Sequence, residues 1–238
     1  MKTNAARDKI HGLILIEVLV VILVFLMLVA MILPQVARPR MHYRAPRITC
    51  VNNLKQVGLA FRVWQGDNND KFPMQISMTN GGTMELVESG TVWRHFQVMS
   101  NELNTPKILF CPADSARQKN MATTWGDTPF ATPGLIAFTG NTNTSYFIGV
   151  DAVDTNRTPF TNPTMFLAGD RNLAVKNVAL PPGLHSLSTN APVSWTRELH
   201  VNQGNVLMAD ASVQQLSQPG LVEALKNTGT ATNRLAIP

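Results

Sequence analysis

Glu17 is the residue with the clearest chemical demand. From Gly12 to Leu33 the chain reads GLILIEVLVVILVFLMLVAMIL, and Glu17 is the one residue after the glycine that is not apolar. A carboxylate inside such a helix costs on the order of 2.5–3.5 kcal/mol in a fully apolar medium, so it calls for a partner. A second group is His200 with Asp210, Asp170 and Glu198, types suited to acid–base work or metal binding. Histidine and aspartate linked by a hairpin more often serve structure, the histidine bonding a loop and the aspartate capping a turn. Cys50 and Cys111 are the only cysteines, and two thiols are too few for a structural zinc site. His11, His42, His95 and His185 are scattered without ligand spacing. Asp67-Asn68-Asn69-Asp70 lacks the later ligands and the glycine of a calcium loop, so turn chemistry accounts for it. No Gly-rich phosphate loop, Gly-x-Ser-x-Gly or His-Glu-x-x-His is present in the sequence. These residues predict no catalytic group, no metal and no cofactor, and hence not an enzyme.

The elements that carry these residues follow from periodicity. About 21 apolar residues rise roughly 32 Å as a helix, the thickness of a bilayer core. The run is longer than the ~7–15 residues of a signal-peptide core, and Met31-Ile32-Leu33-Pro34 offers no small-x-small cleavage site. A membrane-spanning helix is the expectation. The net charge of +5 resides at its flanks. Lys2, Arg7 and Lys9 precede it, Arg38, Arg40, Arg44 and Arg47 follow it, and beyond Arg47 acids and bases are equal in number. No basic stripe with interleaved aromatics marks the body of the chain, so no nucleic-acid partner is inferred. The basic leader suits a cytoplasmic N-terminus, and the arginine collar suits lipid headgroups.

The motif Gly12-Leu13-Ile14-Leu15-Ile16-Glu17 resembles the class III signal of type IV pilins and type II secretion pseudopilins. That signal is a short basic leader ending in glycine, then usually Phe-Thr-Leu-Ile-Glu and an apolar helix. Gly12, Leu15, Ile16 and Glu17 match at the family's spacing, and Leu13 and Ile14 depart from it. Pro34 falls where many pilins carry a helix-kinking proline. The resemblance implies cleavage between Gly12 and Leu13 by a prepilin peptidase, which also N-methylates Leu13. It gives Glu17 its partner, the Leu13 ammonium of a neighbouring subunit. It implies a pilus-like or pseudopilus filament of like or mixed subunits, built by an inner-membrane assembly platform. The precursor would be a single-pass inner-membrane protein in the lipid bilayer with a periplasmic domain, later part of a periplasmic or cell-surface filament. An exported domain would allow Cys50 and Cys111 to pair; two buried free thiols are the alternative. A membrane-anchored exported enzyme or binding protein with an uncut N-terminus is the competing class.

The expected fold is α+β: a membrane helix continuing, with proline kinks, into an amphipathic helix packed on a small antiparallel β-sheet domain. The expected divisions are a leader at 1–12, the apolar helix at 13–34, a kinked connector and amphipathic helix at 35–66, and a β-rich domain at 67–238. Pro34, Pro39 and Pro46 interrupt the connector. Ile48, Val51, Leu54, Val57, Phe61 and Trp64 recur at helical steps. Residues 92–103 read as a short helix, and residues 107–110, 145–150 and 164–168 as strands, whereas 171–194 reads as loop. Asn205–Ala209 and Ser212–Leu216 flank a turn at Asp210-Ala211, a predicted hairpin. His200 and Asp210 here resemble the His-x9-Asp-Gly signature of a prepilin-like group in planctomycetes and verrucomicrobia. Cys50-Val-Asn-Asn-Leu-Lys-Gln, Phe110-Cys111-Pro112-Ala113-Asp114 and Gly169-Asp170 also look like that group. Ala211 stands where its glycine would be, which leaves the turn type open.

Overall fold

The apolar stripe of the amphipathic segment folds as helix α2, Arg44–Asp67, in a computed structural model that describes residues 16–30, 44–126, 134–152 and 162–238. Leu54, Val57 and Phe61 are fully buried and Val51 and Trp64 nearly so. Ile48 is 58% exposed and leaves the predicted stripe; Cys50 and Asn53 point inward instead. Pro46 does not stop this helix. It lies in the first turn, where its missing N–H would have no intrahelical acceptor and its fixed φ suits a helix start.

The chain divides into residues 1–44 and 45–238. In the first unit, residues 16–30 form helix α1. Fifteen helical residues rise only about 22 Å, short of the ~30 Å of hydrocarbon. Among the described residues no helix is long and apolar enough to cross a membrane. The expected membrane-spanning helix, and the single-pass anchor built on it, are therefore corrected: the described apolar helix covers residues 16–30 and does not qualify as a membrane span. Gly12, Leu13 and most of the proline connector lie outside the described residues.

The second unit is α+β. A six-stranded antiparallel sheet has the order β5-β9-β1-β2-β7-β8, from β1 (Tyr146–Gly149), β2 (Phe166–Asp170), β5 (Gly183–Ser188), β7 (Gly204–Met208), β8 (Val213–Leu216) and β9 (Thr232–Ile237). A smaller sheet has the order β4-β3-β6, from β3 (Leu173–Val175), β4 (Val178–Ala179) and β6 (Val193–Trp195). Four strands thus occupy the stretch expected to be loop. Two of them have only three residues and one has two, too few for an alternating pattern to stand out. The strand expected over 107–110 is a 3-10 turn, Pro106–Leu109, because Pro106 sets the helical φ and Thr105 caps the Lys107 N–H. The helix expected over 92–103 is two short ones, α3 (Val92–Gln97) and α4 (Ser100–Leu103).

Both faces of the large sheet are covered. Tyr146 and Ile148 of β1 join Leu54, Phe61, Phe72 and Phe96 on the α2 side. Phe147 turns the other way, to Phe166, Trp195, Leu221 and Leu225, the last two from helix α5 (Gln218–Lys226). Alternation therefore places an apolar or aromatic side chain in a core at each of Tyr146, Phe147 and Ile148, where a half-covered sheet would place a polar one at alternate steps. At Gly58 a Cβ would come within 2.7 Å of Leu207 Cδ1, so this glycine lets α2 lie close on β7.

The β7–β8 hairpin forms as expected, and its turn type is now defined. Ala211 N–H donates to Met208 O (2.9 Å) and Met208 N–H to Ser212 O (2.8 Å), with Ala211 at φ 69°. This is a three-residue loop in which a turn is followed by a left-handed residue, a position that favours glycine. Replacing Ala211 by glycine should stabilise the domain by about 1 kcal/mol. Urea unfolding of both proteins checks this; an unchanged or lower midpoint would contradict the turn geometry.

Candidate functional site

Two features hold the residues singled out by the sequence. The first is α1. From Ile16 to Leu28 its large apolar side chains are all about half exposed or more, from Val24 at 48% to Phe25 at 64%, and the Glu17 side chain is exposed among them. Apolar residues on every side of a helix mean burial by something other than its own domain.

The second feature is a buried cluster that the sheet and α2 assemble from four distant segments. Cys50 lies in α2, and Cys111 lies just past the Pro106–Leu109 turn; they form a disulfide with Cα atoms 5.2 Å apart. His200 precedes β7 and places Nε2 3.4 Å from Cys111 Sγ. The same nitrogen is 3.4 Å from Asp170 Oδ2, at the end of β2. Asn205, on the neighbouring strand β7, donates to that oxygen from its backbone N–H (2.7 Å) and from Nδ2 (2.9 Å). Asp170 Oδ1 has no hydrogen-bond partner. Cys50, Cys111 and Asp170 are fully buried and His200 is 8% exposed.

Burial governs the protonation of this cluster. It pushes the Asp170 carboxyl up to about 7, against the pull of the two Asn205 donors and the Arg47 guanidinium. It pushes His200 down to about 4, and Arg47 acts in the same direction. Their mutual contact is longer than the 2.7–2.9 Å of a strong charge-assisted bond, so it does not override the burial of each. Near neutrality the imidazole is therefore uncharged. Arg47 itself hydrogen-bonds Gln203 Oε1 through Nη1.

A second carboxylate close by behaves in the opposite way. Burial would also raise Asp114, but Arg171 grips it with Nε and Nη2, both at 2.8 Å, and Ser145 Oγ donates at 2.9 Å. The Arg171 fork keeps this carboxyl below its ordinary value. Arg171 Nη1 also reaches Glu198 at 2.9 Å, so Glu198 belongs to this ion pair and not to His200. A cleft of about 300 Å³ runs beside the cluster, between Thr49 and Asn53 of α2 and the Lys107–Pro112 segment. Lys107 is the one titratable side chain in its lining.

The structure thus joins Cys50, Cys111, Asp170 and His200, and leaves Asp210 out. Asp210 is exposed at the hairpin turn, where Oδ1 accepts the Ser212 N–H at 2.8 Å. That is the turn-capping role weighed against catalysis from the sequence. His95 is buried and bonded to Thr83 Oγ1 (2.7 Å), and His185 reaches Pro181 O (2.7 Å); neither joins the cluster. Sequence reasoning missed Asn205, Arg47 and the Asp114–Arg171 pair. Asn205 had a local signal, a polar residue in an otherwise apolar strand, and Asp114 stood at the end of the Phe110–Asp114 motif segment; nothing local tied Arg47 or Arg171 to the cluster.

Because Asp170 binds its proton more tightly folded than unfolded, the folded state holds the extra proton between about pH 4 and 7. Stability therefore falls as pH rises through that window. Relative to wild type, Asp170→Asn should gain about 1.4 kcal/mol per pH unit across it and level off above pH 7. Urea unfolding at pH 4.5, 5.5, 6.5 and 7.5 reads this directly, and a pH-independent difference would rule out a raised Asp170. Compared with family models, curated proteins and solved structures, the chain matches none of them.

Proposed function

We propose that this chain is a filament subunit of pilin type, assembled through α1 with Glu17 as the register-setting charge. The reading rests on one observation: an exposed helix that is apolar on all sides and carries a single acid one residue past its first described position. Fully burying each such aliphatic side chain stabilises by about 1.5–3 kcal/mol, and a bundle of the same helices from neighbouring copies supplies that burial. Cleavage between Gly12 and Leu13 by a prepilin peptidase and N-methylation at Leu13 create an amine a short step before Glu17. In an apolar bundle that amine on one subunit and the Glu17 carboxylate of the next attract with little screening, which sets the axial stagger. The Cys50–Cys111 disulfide supports an oxidising destination for the globular unit.

Three outcomes are expected. Glu17→Ala leaves the ammonium buried without its counter-charge, a loss of about 3 kcal/mol, so incorporation into filaments should fall on the order of a hundredfold while cleavage continues. Mass spectrometry of the mature protein should find methyl-leucine at Leu13, and replacing Gly12 by leucine should abolish processing. Normal filament yield from Glu17→Ala overturns the role of the acid. A chain that keeps its first twelve residues and stays monomeric overturns the filament reading in favour of an anchored exported protein.

A further inference from the structure

The buried cluster contains more donor capacity than a disulfide uses. Cys50 Sγ, Cys111 Sγ and His200 Nε2 all lie within 4.8 Å of one another and all belong to buried residues. Bonds of about 2.3 Å to sulfur and about 2.0 Å to nitrogen give a tetrahedral zinc site a sulfur–nitrogen edge of about 3.6 Å. The Cys111 Sγ to His200 Nε2 separation is already 3.4 Å. Only the two sulfurs, now bonded to each other, need to move apart. A second observation points to a ligand. Asp170 is fully buried, its Oδ1 has no partner, and its Oδ2 is 3.4 Å from the same imidazole nitrogen, so a carboxylate stands ready as fourth donor. Charge also closes. Two thiolates balance a divalent ion, and Asp170 can join as fourth donor by releasing its proton to solvent.

We propose that the reduced chain binds one soft divalent cation, zinc by its donor set, through Cys50, Cys111 and His200, with Asp170 beside them. Metal and disulfide are then alternative closures of the same junction. Every chain passes through the reduced form, because cysteine is incorporated as the thiol. The inference does not depend on filament assembly.

The chemistry balances with a phosphine reductant. The sulfur–sulfur bond breaks, the two sulfurs take the two protons of a water molecule, and phosphorus takes its oxygen and is oxidised by two electrons. The cation then displaces both thiol protons to solvent, while His200 moves its proton to Nδ1 and offers the Nε2 lone pair. Because the donors come from four segments, binding is coupled to folding.

The test refolds the full chain under phosphine with cobalt(II), whose tetrahedral thiolate complexes are coloured. The reduced wild-type chain should bind one cobalt per chain with thiolate-to-metal absorption, zinc should bleach it, and the oxidised chain should show none. Zinc should slow alkylation of Cys50 and Cys111 by iodoacetamide at least about tenfold. His200→Ala should weaken cobalt binding at least about tenfold, and His200→Cys, which keeps a soft donor, should restore it. The proposal is overturned if reduced wild type gives no thiolate–cobalt band, if zinc leaves its alkylation rate unchanged, or if folded His200→Ala binds as tightly. The wild-type measurements decide the matter even if both variants fail to fold.

Discussion

The contact of α2 with the face of the six-stranded sheet is the constraint on which the second unit depends. It is made by a stripe of buried apolar side chains, allowed by the absence of a side chain at Gly58, and tied by the bond between Cys50 and Cys111. The two cysteines are 61 residues apart. Closing a loop of that length removes about 4 kcal/mol of unfolded-state entropy on the chain-entropy model. The bond also fixes the N-terminal part of α2 over the ends of β2 and β7. That is what brings Asp170, Asn205 and His200 under one roof.

The same packing explains why two neighbouring carboxylates are tuned apart. Both are almost fully buried, so both are driven toward the neutral acid. Asp114 meets a planar guanidinium in a two-point grip, and attraction exceeds desolvation. Asp170 receives two N–H bonds on one oxygen and none on the other, and its nearest cation, Arg47, is engaged with Gln203. Desolvation prevails there. Asp170 is a buried acid held at some expense in stability, beside a neutral imidazole and a disulfide, in a place shielded from solvent.

Helix α1 obeys different physics. Within the second unit, apolar residues lie on one side of α2 and find the sheet. In α1 they lie on all sides, and among the described residues they remain largely exposed. Such a surface is satisfied only by other apolar groups. The bundle of copies that we propose would meet this demand, and it would give the isolated acid a place where an opposite charge can matter.

What could be read directly was what depends on near neighbours in the chain. The three- and four-residue steps from Val51 to Trp64 dictate α2, and the runs flanking Asp210-Ala211 dictate the β7–β8 hairpin. The exhaustive apolarity around Glu17 dictates a helix needing outside company. Residues 171–194 are opaque because three of their four strands have only two or three residues, too few for a period to register, and Lys107–Phe110 departs from a strand because Pro106 and Thr105 outweigh a brief apolar run. The motif segments around Cys50, Cys111, Asp170 and His200 were each visible, but their meeting was not. Cys111 and His200 are 89 residues apart, and no local spacing encodes a contact made by folding a sheet between them. The amphipathic helix, the hairpin and the lone acid in its apolar helix follow from local order along the chain, since side-chain period and turn chemistry act over a few residues. That His200 faces Asp170 and a disulfide, and that Asp210 stands apart, came with the folded chain alone, because burial, and with it every shifted proton in the cluster, is a property of what the fold closes over.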